Sequence, residues 1–252
     1  AEAERELLKA QKTVETLYSA LSNTLGGDES TYIPATSMFI LNDIESVSYF
    51  KDLAKQHSPL LKQVGYKKQL ATENMRLQRA DFAPQVALTG MAAFYNYQVS
   101  PIIPKWAVGA GVSLKIFDGL NREYKFSAAK SQIRQVEAVG HQAESDILTL
   151  IDKLYNEMVT YSQQLPSVNA SGRFAEEYLR IKEEAFKEGA APSSDVVDAR
   201  LNLAKIRIER LQAAYYYDMM LARLLEACGQ SELFPDYGKR AAAMPIRYEH
   251  DF

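Results

Sequence analysis

The sequence is poor in the residues that build catalytic and metal centres. Its 252 residues include one cysteine, Cys228, so a disulfide within the chain is excluded. It has three histidines, and neither His57 nor His141 has a partner at the spacing that metal sites use. We therefore expect no catalytic, cofactor-binding or metal site, and a protein that is not an enzyme.

Strong charge and long hydrophobic runs are also missing. The formal net charge is only −3, a balance that argues against nucleic acid as a partner. No segment approaches the roughly 18 to 20 apolar residues of a membrane-spanning helix. No signal peptide is visible, but the sequence starts at Ala1 without methionine and already in helical periodicity. We interpret this start as processed or truncated, so the missing signal does not argue against export.

What the sequence does contain is helical periodicity. Apolar residues at helical spacing predict a helix over residues 3–25 that stops at a Gly-Gly pair. A short helix is predicted over residues 44–56. Ser58 and Pro59 then predict the N-cap and first position of a further helix, which extends to about Phe82.

The longest predicted helix follows residue 117. Asp118 is a suitable N-cap, and the helical pattern continues to Glu188, about 70 residues or roughly 105 Å at 1.5 Å per residue. Pro166 is expected to kink or break this helix locally. Helices of this length must pack laterally, so the sequence predicts a mainly α fold of long antiparallel coiled-coil helices.

A returning helix is predicted after a tight turn over residues 189–192. Ser193 or Ser194 supplies its N-cap, and Asp195 complements the positive end of the helix dipole. The helix extends to about residue 227. The tail that follows is predicted to be extended, packed on the helices or partly disordered.

A segment of the size of a β-hairpin, residues 84–117, interrupts the helices. Because strand side chains alternate between faces, the second strand has an aliphatic face that suits lipid and a small, polar face that suits a lumen. Membrane barrels carry aromatic girdles at the interface. The predicted girdle residues are Phe94, Tyr95, Tyr97 and Trp106.

The alternative is a hairpin that packs on the helices of a soluble domain. The pattern alone leaves both interpretations open, because alternation is a weak signal in a single strand. Two strands cannot close a barrel, and lipid does not tolerate an open edge. The membrane interpretation therefore requires other subunits, a further part of the chain, or both.

The order of these elements and the motifs within them resemble the TolC-type outer-membrane efflux protein family. The resemblance covers residues 1 to about 235, and the order and spacing of the motifs are more specific than any one motif. The motifs are Ser58-Pro59-Leu60, Ala83-Pro84-Gln-Val-Ala-Leu88, Trp106-Ala-Val-Gly-Ala-Gly-Val-Ser-Leu114, Ile116-Phe-Asp-Gly119, Glu184-Ala-Phe-Lys-Glu-Gly189 and Asp195-Val-Val-Asp-Ala-Arg200.

The resemblance implies a homotrimer whose subunits each have two similar halves. Each half supplies two strands to one shared transmembrane β-barrel and long helices to an α-barrel across the periplasm. Residues 30–235 match the second half and residues 1–26 match the end of the first. Most of the first half is absent, and we expect the sequence to be a fragment.

The same resemblance divides the chain into consecutive parts. These are the last helix of the first repeat (1–26), a linker and short helix of the equatorial region (27–58), a helix (59–83), the membrane hairpin (84–117), the long periplasmic helix (118–189), the returning helix (190–229) and a C-terminal tail (230–252).

The turn between the two long helices is, in the family, the periplasmic tip that meets an adaptor protein and narrows the closed pore. The residues that the resemblance assigns to docking are Phe186, Gly189, Ala190, Ala191, Pro192 and Ser193. It assigns Asp195 and Asp198 to the pore mouth, where acidic side chains would repel anions or attract cations.

The tip departs from the family in one respect. A well-known member has a tyrosine where Phe186 stands and an arginine where Ala191 stands, so this sequence lacks a hydrogen-bond donor and a charge partner that help to hold that tip closed. The departure argues against the same closure network here. Asp195 and Asp198 also have a simpler interpretation as helix N-terminal charges, whereas a catalytic pair is disfavoured because no nucleophile, histidine or lysine accompanies them in sequence.

We therefore expect a passive outer-membrane channel subunit of a tripartite efflux or secretion system that extends into the periplasm. A periplasmic adaptor and an inner-membrane pump would supply energy and substrate choice. One alternative is an adaptor itself, which would flank its helical hairpin with small β-rich domains that are not evident around residues 119–228. The other is a soluble coiled-coil scaffold, which would have neither membrane partition nor an aromatic girdle.

Overall fold

The computed structural model of the chain describes residues 2–26, 37–41, 43–92 and 106–241. The helices and strands are α1 (Glu2–Leu25), α2 (Val47–His57), α3 (Pro59–Ala80), β1 (Gln85–Ala92), β2 (Trp106–Ser113), α4 (Asn121–Lys187), α5 (Ser193–Ala227), a 3₁₀ turn (Ser231–Leu233) and α6 (Phe234–Ala241). β1 and β2 form an antiparallel hairpin. The mainly helical fold with one hairpin that the sequence predicts is therefore confirmed.

The chain divides into two compact units. The first contains the described residues of 1–42, 161–218 and 235–252, and the second contains those of 43–160 and 219–234. The helices α4 and α5 supply residues to each unit. The hairpin belongs to the second unit, and the turn between α4 and α5 belongs to the first.

The longest helix, α4, continues through Pro166 without interruption. Proline has no backbone N–H and so removes one hydrogen bond from the helix interior. The hydrogen bonds of the neighbouring turns keep all 67 residues of α4 helical. The predicted break at this position is therefore wrong, and the alternative of a local kink stays a prediction. Of the described helices, none combines the length and the apolar composition needed to cross a membrane.

The helix α4 begins two residues beyond the predicted start. Asp118 does not cap the helix and instead forms an ion pair with Arg122 at 3.3 Å. Arg122 also donates to the carbonyl oxygen of Ile116 at 3.4 Å, and its guanidinium lies 5.2 Å from the centre of the Phe82 ring. One side chain therefore joins the base of the hairpin to the helices on either side of it.

The first unit contains a buried segment, residues 37–41, which precedes α2 in the chain. Phe39, Ile40 and Leu41 are all buried, and the Phe39 ring lies edge-on to Tyr217 of α5 at 6.5 Å. Gly238 of α6 leaves room for the same phenyl ring. Residues 234–241 are thus helical rather than extended, because their helix packs on this segment.

The second unit has its core where α2, α4 and α5 meet. Phe50 is fully buried and its ring lies 6.1 Å from that of Tyr155. The Cys228 thiol, also buried, donates to the carbonyl oxygen of Phe50 at 3.4 Å, and burial raises the pKa of Cys228 to about 11. Cys228 is thus a small, buried core residue near a helix end.

Gly229 closes this core. The N–H of Gly229 donates to Glu226 and that of Gln230 to Leu225, each at 2.8 Å, which is the Schellman arrangement that ends a helix. The φ angle of Gly229 is 70°, and a Cβ at this position would overlap the carbonyl oxygen of His57 and lie 3.0 Å from Cδ of Pro59. Two independent constraints therefore require glycine here.

We expect Gly229→Ala to lower the free energy of unfolding by about 2–5 kcal/mol, because it adds backbone strain and a clash with main-chain atoms. Gly189 is the matched control: its φ is 74°, but nothing lies within 4 Å of the position that a Cβ would take. Gly189→Ala should cost about 1–2 kcal/mol from strain alone. Urea unfolding of the purified variants measures both, and equal losses would contradict the role assigned to the His57 contact.

Candidate functional site

The hairpin is paired in a register that gives it two distinct faces. Val86 lies opposite Val112 and Leu88 lies opposite Ala110, and directly opposed residues share a face. The aliphatic face predicted for β2 is therefore continuous with the even-numbered residues of β1. This face consists of Val86, Leu88, Gly90, Ala92, Trp106, Val108, Ala110 and Val112.

Both faces of the hairpin are open in the single chain. Every residue of β1 and all of β2 except the half-buried Ala107 are exposed. On the aliphatic face, Leu88 is 82% exposed and Val108 is 73% exposed. The described helices of this chain therefore do not cover the hairpin, which contradicts the alternative of a hairpin packed on its own helices.

The predicted girdle is only partly within the described residues. Trp106 is the first residue of β2 and is 71% exposed. Phe94, Tyr95 and Tyr97 lie outside the described residues. The aromatic girdle therefore stays a prediction.

The second strand ends at Ser113, four residues earlier than the sequence pattern predicts.

The turn between α4 and α5 is the second candidate site. The N–H of Ala190 donates to the carbonyl of Ala185 at 2.8 Å, and that of Gly189 donates to Phe186 at 3.0 Å. With Gly189 at a φ of 74°, these bonds form a second Schellman turn. Of the predicted docking residues only Ala191 is half-buried, and Phe186, Gly189, Ala190, Pro192 and Ser193 are exposed.

The prediction that Ser193 or Ser194 is the N-cap of α5 is wrong. Ser193 is the first helical residue and Ser194 the second, so neither serine occupies the cap position. Pro192 precedes the helix, and its carbonyl accepts a hydrogen bond from the N–H of Asp195 at 3.1 Å. Asp195 is in the first turn, as the interpretation of a helix N-terminal charge requires.

The two predicted pore-mouth carboxylates have different surroundings. Asp195 accepts a hydrogen bond from Nζ of Lys182 at 2.7 Å, and this bond raises the pKa of Lys182. Asp198 is exposed and forms no ion pair with any residue that the structure describes. The sequence gives no sign of the lysine, because Lys182 is 13 residues away on the preceding helix.

A third feature is a groove of about 500 Å³ in the second unit. Its walls are mainly aliphatic and its rim carries charged side chains of α4 and α5. The lining residues are Ser58, Pro59, Leu60, Ile147, Leu150, Lys153, Leu154, Glu157, Arg223, Glu226 and Ala227. Among the described residues, no group of three or more histidine, cysteine, aspartate or glutamate side chains is placed to hold a metal ion.

Sequence comparison identifies the family. A sequence model of the outer membrane efflux proteins matches residues 51–230, which is most of the chain. The chain belongs to the outer membrane efflux protein family. This confirms the resemblance inferred from the motifs. A comparison with curated protein sequences found no match.

Solved structures with the same fold include channels of the outer membrane. The open-state channel MtrE of Neisseria gonorrhoeae superposes with a TM-score of 0.73 at 18% identity, over 91% of this chain and 53% of that one. The outer membrane protein VceC of Vibrio cholerae gives 0.65 at 19% identity, over 90% and 55%. A membrane protein from Pseudomonas aeruginosa gives 0.71 at 17% identity, over 90% and 52%. The chain thus spans about half the length of these structures.

Within this outer membrane efflux protein, one perturbed carboxyl was not evident from the sequence. Asp218 lies on α5, and its Oδ2 accepts the N–H of Phe39 at 3.2 Å. Its Oδ1 is buried and has no hydrogen-bond partner among the described residues. Burial raises the pKa of Asp218 to about 7, and the Phe39 hydrogen bond opposes that rise only in part. No local motif signals this, because the contact joins residues 179 positions apart.

The raised pKa of Asp218 predicts a pH-dependent stability. Between the ordinary pKa of 3.8 and about 7, the folded protein keeps a proton that the unfolded chain has lost. The folded state then binds more protons, so the free energy of unfolding falls as the pH rises through this window, by about 1–2 kcal/mol for a partly exposed group. Asp218→Asn should remove that slope and stabilise the protein at pH values above the window. The exposed Asp52→Asn is the control, and an unchanged slope in Asp218→Asn would contradict the assignment.

Proposed function

We propose that this outer membrane efflux protein supplies one part of a passive conduit. In this proposal the hairpin enters a β-barrel shared among subunits of a homotrimer in the outer membrane. The helices α4 and α5 line a tunnel in the periplasm, and the turn between them docks a periplasmic adaptor that connects to an inner-membrane pump. The chain itself carries out no chemistry, and energy and substrate choice come from those partners.

The hairpin is the observation that carries the proposal. Its aliphatic face is open along the whole described length, which in water would expose a row of apolar side chains. Among the described strands, β1 and β2 pair only with each other, so each has an outer edge of unpaired backbone groups. Lipid on the aliphatic face and neighbouring strands at both edges satisfy these two requirements together.

The long helices support the same proposal. Large apolar side chains remain exposed along α1, α4 and α5 in the single chain, which favours lateral neighbours over an isolated subunit. They include Leu7, Leu8, Leu17, Leu25, Phe174, Tyr178, Ile181, Val197, Leu201 and Ile208. A ring of subunits and the remaining half of a family-length chain would cover such stripes.

The channel description of the similar structures agrees with this role. MtrE and CmeC are each described as an outer membrane channel, and CusC is described in terms of transmembrane channel formation. Phe186 lies in the last turn of α4, next to the exposed turn that joins the two longest described helices. The exposed Phe186 ring offers a partner apolar area, and the small, exposed residues Gly189 and Ala190 leave the backbone of the turn accessible.

The proposal predicts that the two faces of β2 respond differently to charge. Val108→Lys puts an ammonium on the lipid side, where it costs about 2–4 kcal/mol at the bilayer midplane. Ala107→Lys puts the same charge on the adjacent residue but on the lumen side, where water solvates it. We expect Val108→Lys to reduce the protein in the outer-membrane fraction and Ala107→Lys to retain both assembly and conductance in planar bilayers.

Two results would contradict the conduit. One is normal outer-membrane assembly and conductance in both lysine variants, which would mean that neither face meets lipid. The other is a full-length protein that stays soluble and monomeric without detergent. Unfolding measured on the two purified variants controls for a general loss of stability.

A further inference from the structure

The hairpin is joined to the helices of its unit by two connections. The first, residues 81–84, leads from α3 into β1, and the second, residues 114–120, leads from β2 into α4. Every residue of β1 is exposed, and β2 has a single half-buried residue, so the described helices do not hold either face. Among the described residues, contacts that can orient the hairpin therefore lie at these two connections.

Arg122 contacts both connections at once. It lies in the first turn of α4, where its Nη2 donates to the carbonyl oxygen of Ile116 at 3.4 Å and its Nε lies 3.3 Å from Oδ2 of Asp118. Its guanidinium carbon also lies 5.2 Å from the centre of the Phe82 ring in the first connection. The Phe82 ring in turn lies edge-on to that of Phe126, one turn further along α4, at 6.2 Å. We call Phe82, Ile116, Asp118 and Arg122 the junction cluster.

The ion pair of the junction cluster is shielded from water but incompletely hydrogen-bonded. The side chains of Arg122 and Asp118 are only 11% and 19% exposed. Oδ1 of Asp118 and Nε of Arg122 are buried and form no hydrogen bond with any residue that the structure describes. A buried ion pair of this kind adds little stability over well-packed apolar side chains, whereas the loss of one partner is costly. The pair therefore favours one arrangement of the connections, because other arrangements leave a buried charge unpaired.

The turn that the ion pair encloses has a strained backbone. Gly119 and Leu120 have φ angles of 71° and 68°, and this left-handed region is unfavourable for a residue with a side chain such as leucine. Strain of this kind persists only where the surrounding structure holds the backbone in place. Asp118 precedes the turn and Arg122 follows it, so their ion pair closes the turn across the strained residue.

We propose that Arg122 is a positioning residue that fixes the direction of the hairpin relative to α3 and α4, with Asp118 as its counter-ion. The inference rests on the proposed function only for the use of that direction, which is to present the strands to the neighbouring strands of a shared barrel. Strands that are already aligned lose less orientational freedom on pairing than strands on a free joint. Arg122 therefore acts on barrel assembly through the direction of the strands.

The test measures hairpin direction and stability separately in the 252-residue chain in detergent micelles. Spin labels at Met91→Cys in β1 and Gln135→Cys in α4, both exposed, report the distance between hairpin and helix by pulsed electron paramagnetic resonance, in a Cys228→Ser background. Asp118→Leu combined with Arg122→Met removes both charges and leaves neither unpaired. We expect this double variant to widen the distance distribution by about twofold or more, while urea unfolding gives a folding equilibrium constant that stays within about threefold of the wild type or rises.

Two further variants calibrate this result. Arg122→Met alone leaves the Asp118 carboxylate buried and unpaired, so it should lower the folding equilibrium constant by about tenfold or more. The matched control is Lys68→Met combined with Glu137→Leu, which removes a 3.0 Å ion pair between the same two helices but further from the hairpin. The control should leave the width of the distance distribution unchanged.

Leu120→Gly distinguishes the ion pair from the turn that it encloses. Glycine relieves the strain and frees the backbone, so with the junction cluster intact the distribution should stay as narrow as in the wild type. Broadening in Leu120→Gly would assign the direction to the turn, and equal widths in the wild type and the Asp118→Leu, Arg122→Met double variant would mean that the pair does not set it. Either result overturns the proposal. A failure of the conduit would instead appear as absent conductance with the hairpin direction unchanged, because the distance measurement needs no barrel.

Discussion

Backbone hydrogen bonding at the edges of the hairpin is the constraint on which the rest of this molecule depends. Among the described strands, β1 and β2 pair only with each other, in a register that is complete from Gln85 to Ala92. Each strand therefore has one unpaired edge, and in lipid an unpaired N–H or C=O costs several kcal/mol. A chain with such an element needs either an aqueous setting or more strands. The aliphatic face argues for more strands, because water would meet a row of valine and leucine side chains.

The helices, like the strands, leave surfaces without a neighbour in the single chain. In a self-sufficient domain, α1, α4 and α5 would bury their apolar stripes against one another, yet many of their large side chains are exposed. The fully buried residues instead cluster at particular junctions, around Phe50 in the second unit and around Tyr217 in the first. These junctions fix where the helices meet and leave the outer stripes free for other helices.

Features of the fold and the candidate site are predictable from the sequence where the interactions that form them are between residues close together in the chain. The helices and the two Schellman turns follow from local signals, namely apolar spacing and a glycine at the end of each periodic segment. The division of the hairpin into two faces follows from alternation alone. The helix α6 was not predicted, because it forms against Phe39, far away in the chain. Arg122, Lys182 and Asp218 were missed for the same reason, since each acts through a partner outside its local motif.

The two glycines that end α4 and α5 show that the same local sequence signal occurs in two different packing environments. Gly189 and Gly229 have nearly the same φ angle and the same pair of hydrogen bonds, so sequence patterns treat them alike. Gly189 faces open space, whereas Gly229 presses on the His57 carbonyl. One glycine therefore forms an exposed turn with room for a partner, and the other closes a core.

The charge pattern at the tip extends this reasoning. Phe186 and Ala191 supply neither the donor nor the cation that the family resemblance would lead one to expect there, yet the turn is not without polar restraint. The lysine that provides it comes from one turn further back on α4 and reaches Asp195 from the side. A contact of this kind joins α4 to α5 within one chain. The restraint on this turn is therefore internal to the helical hairpin.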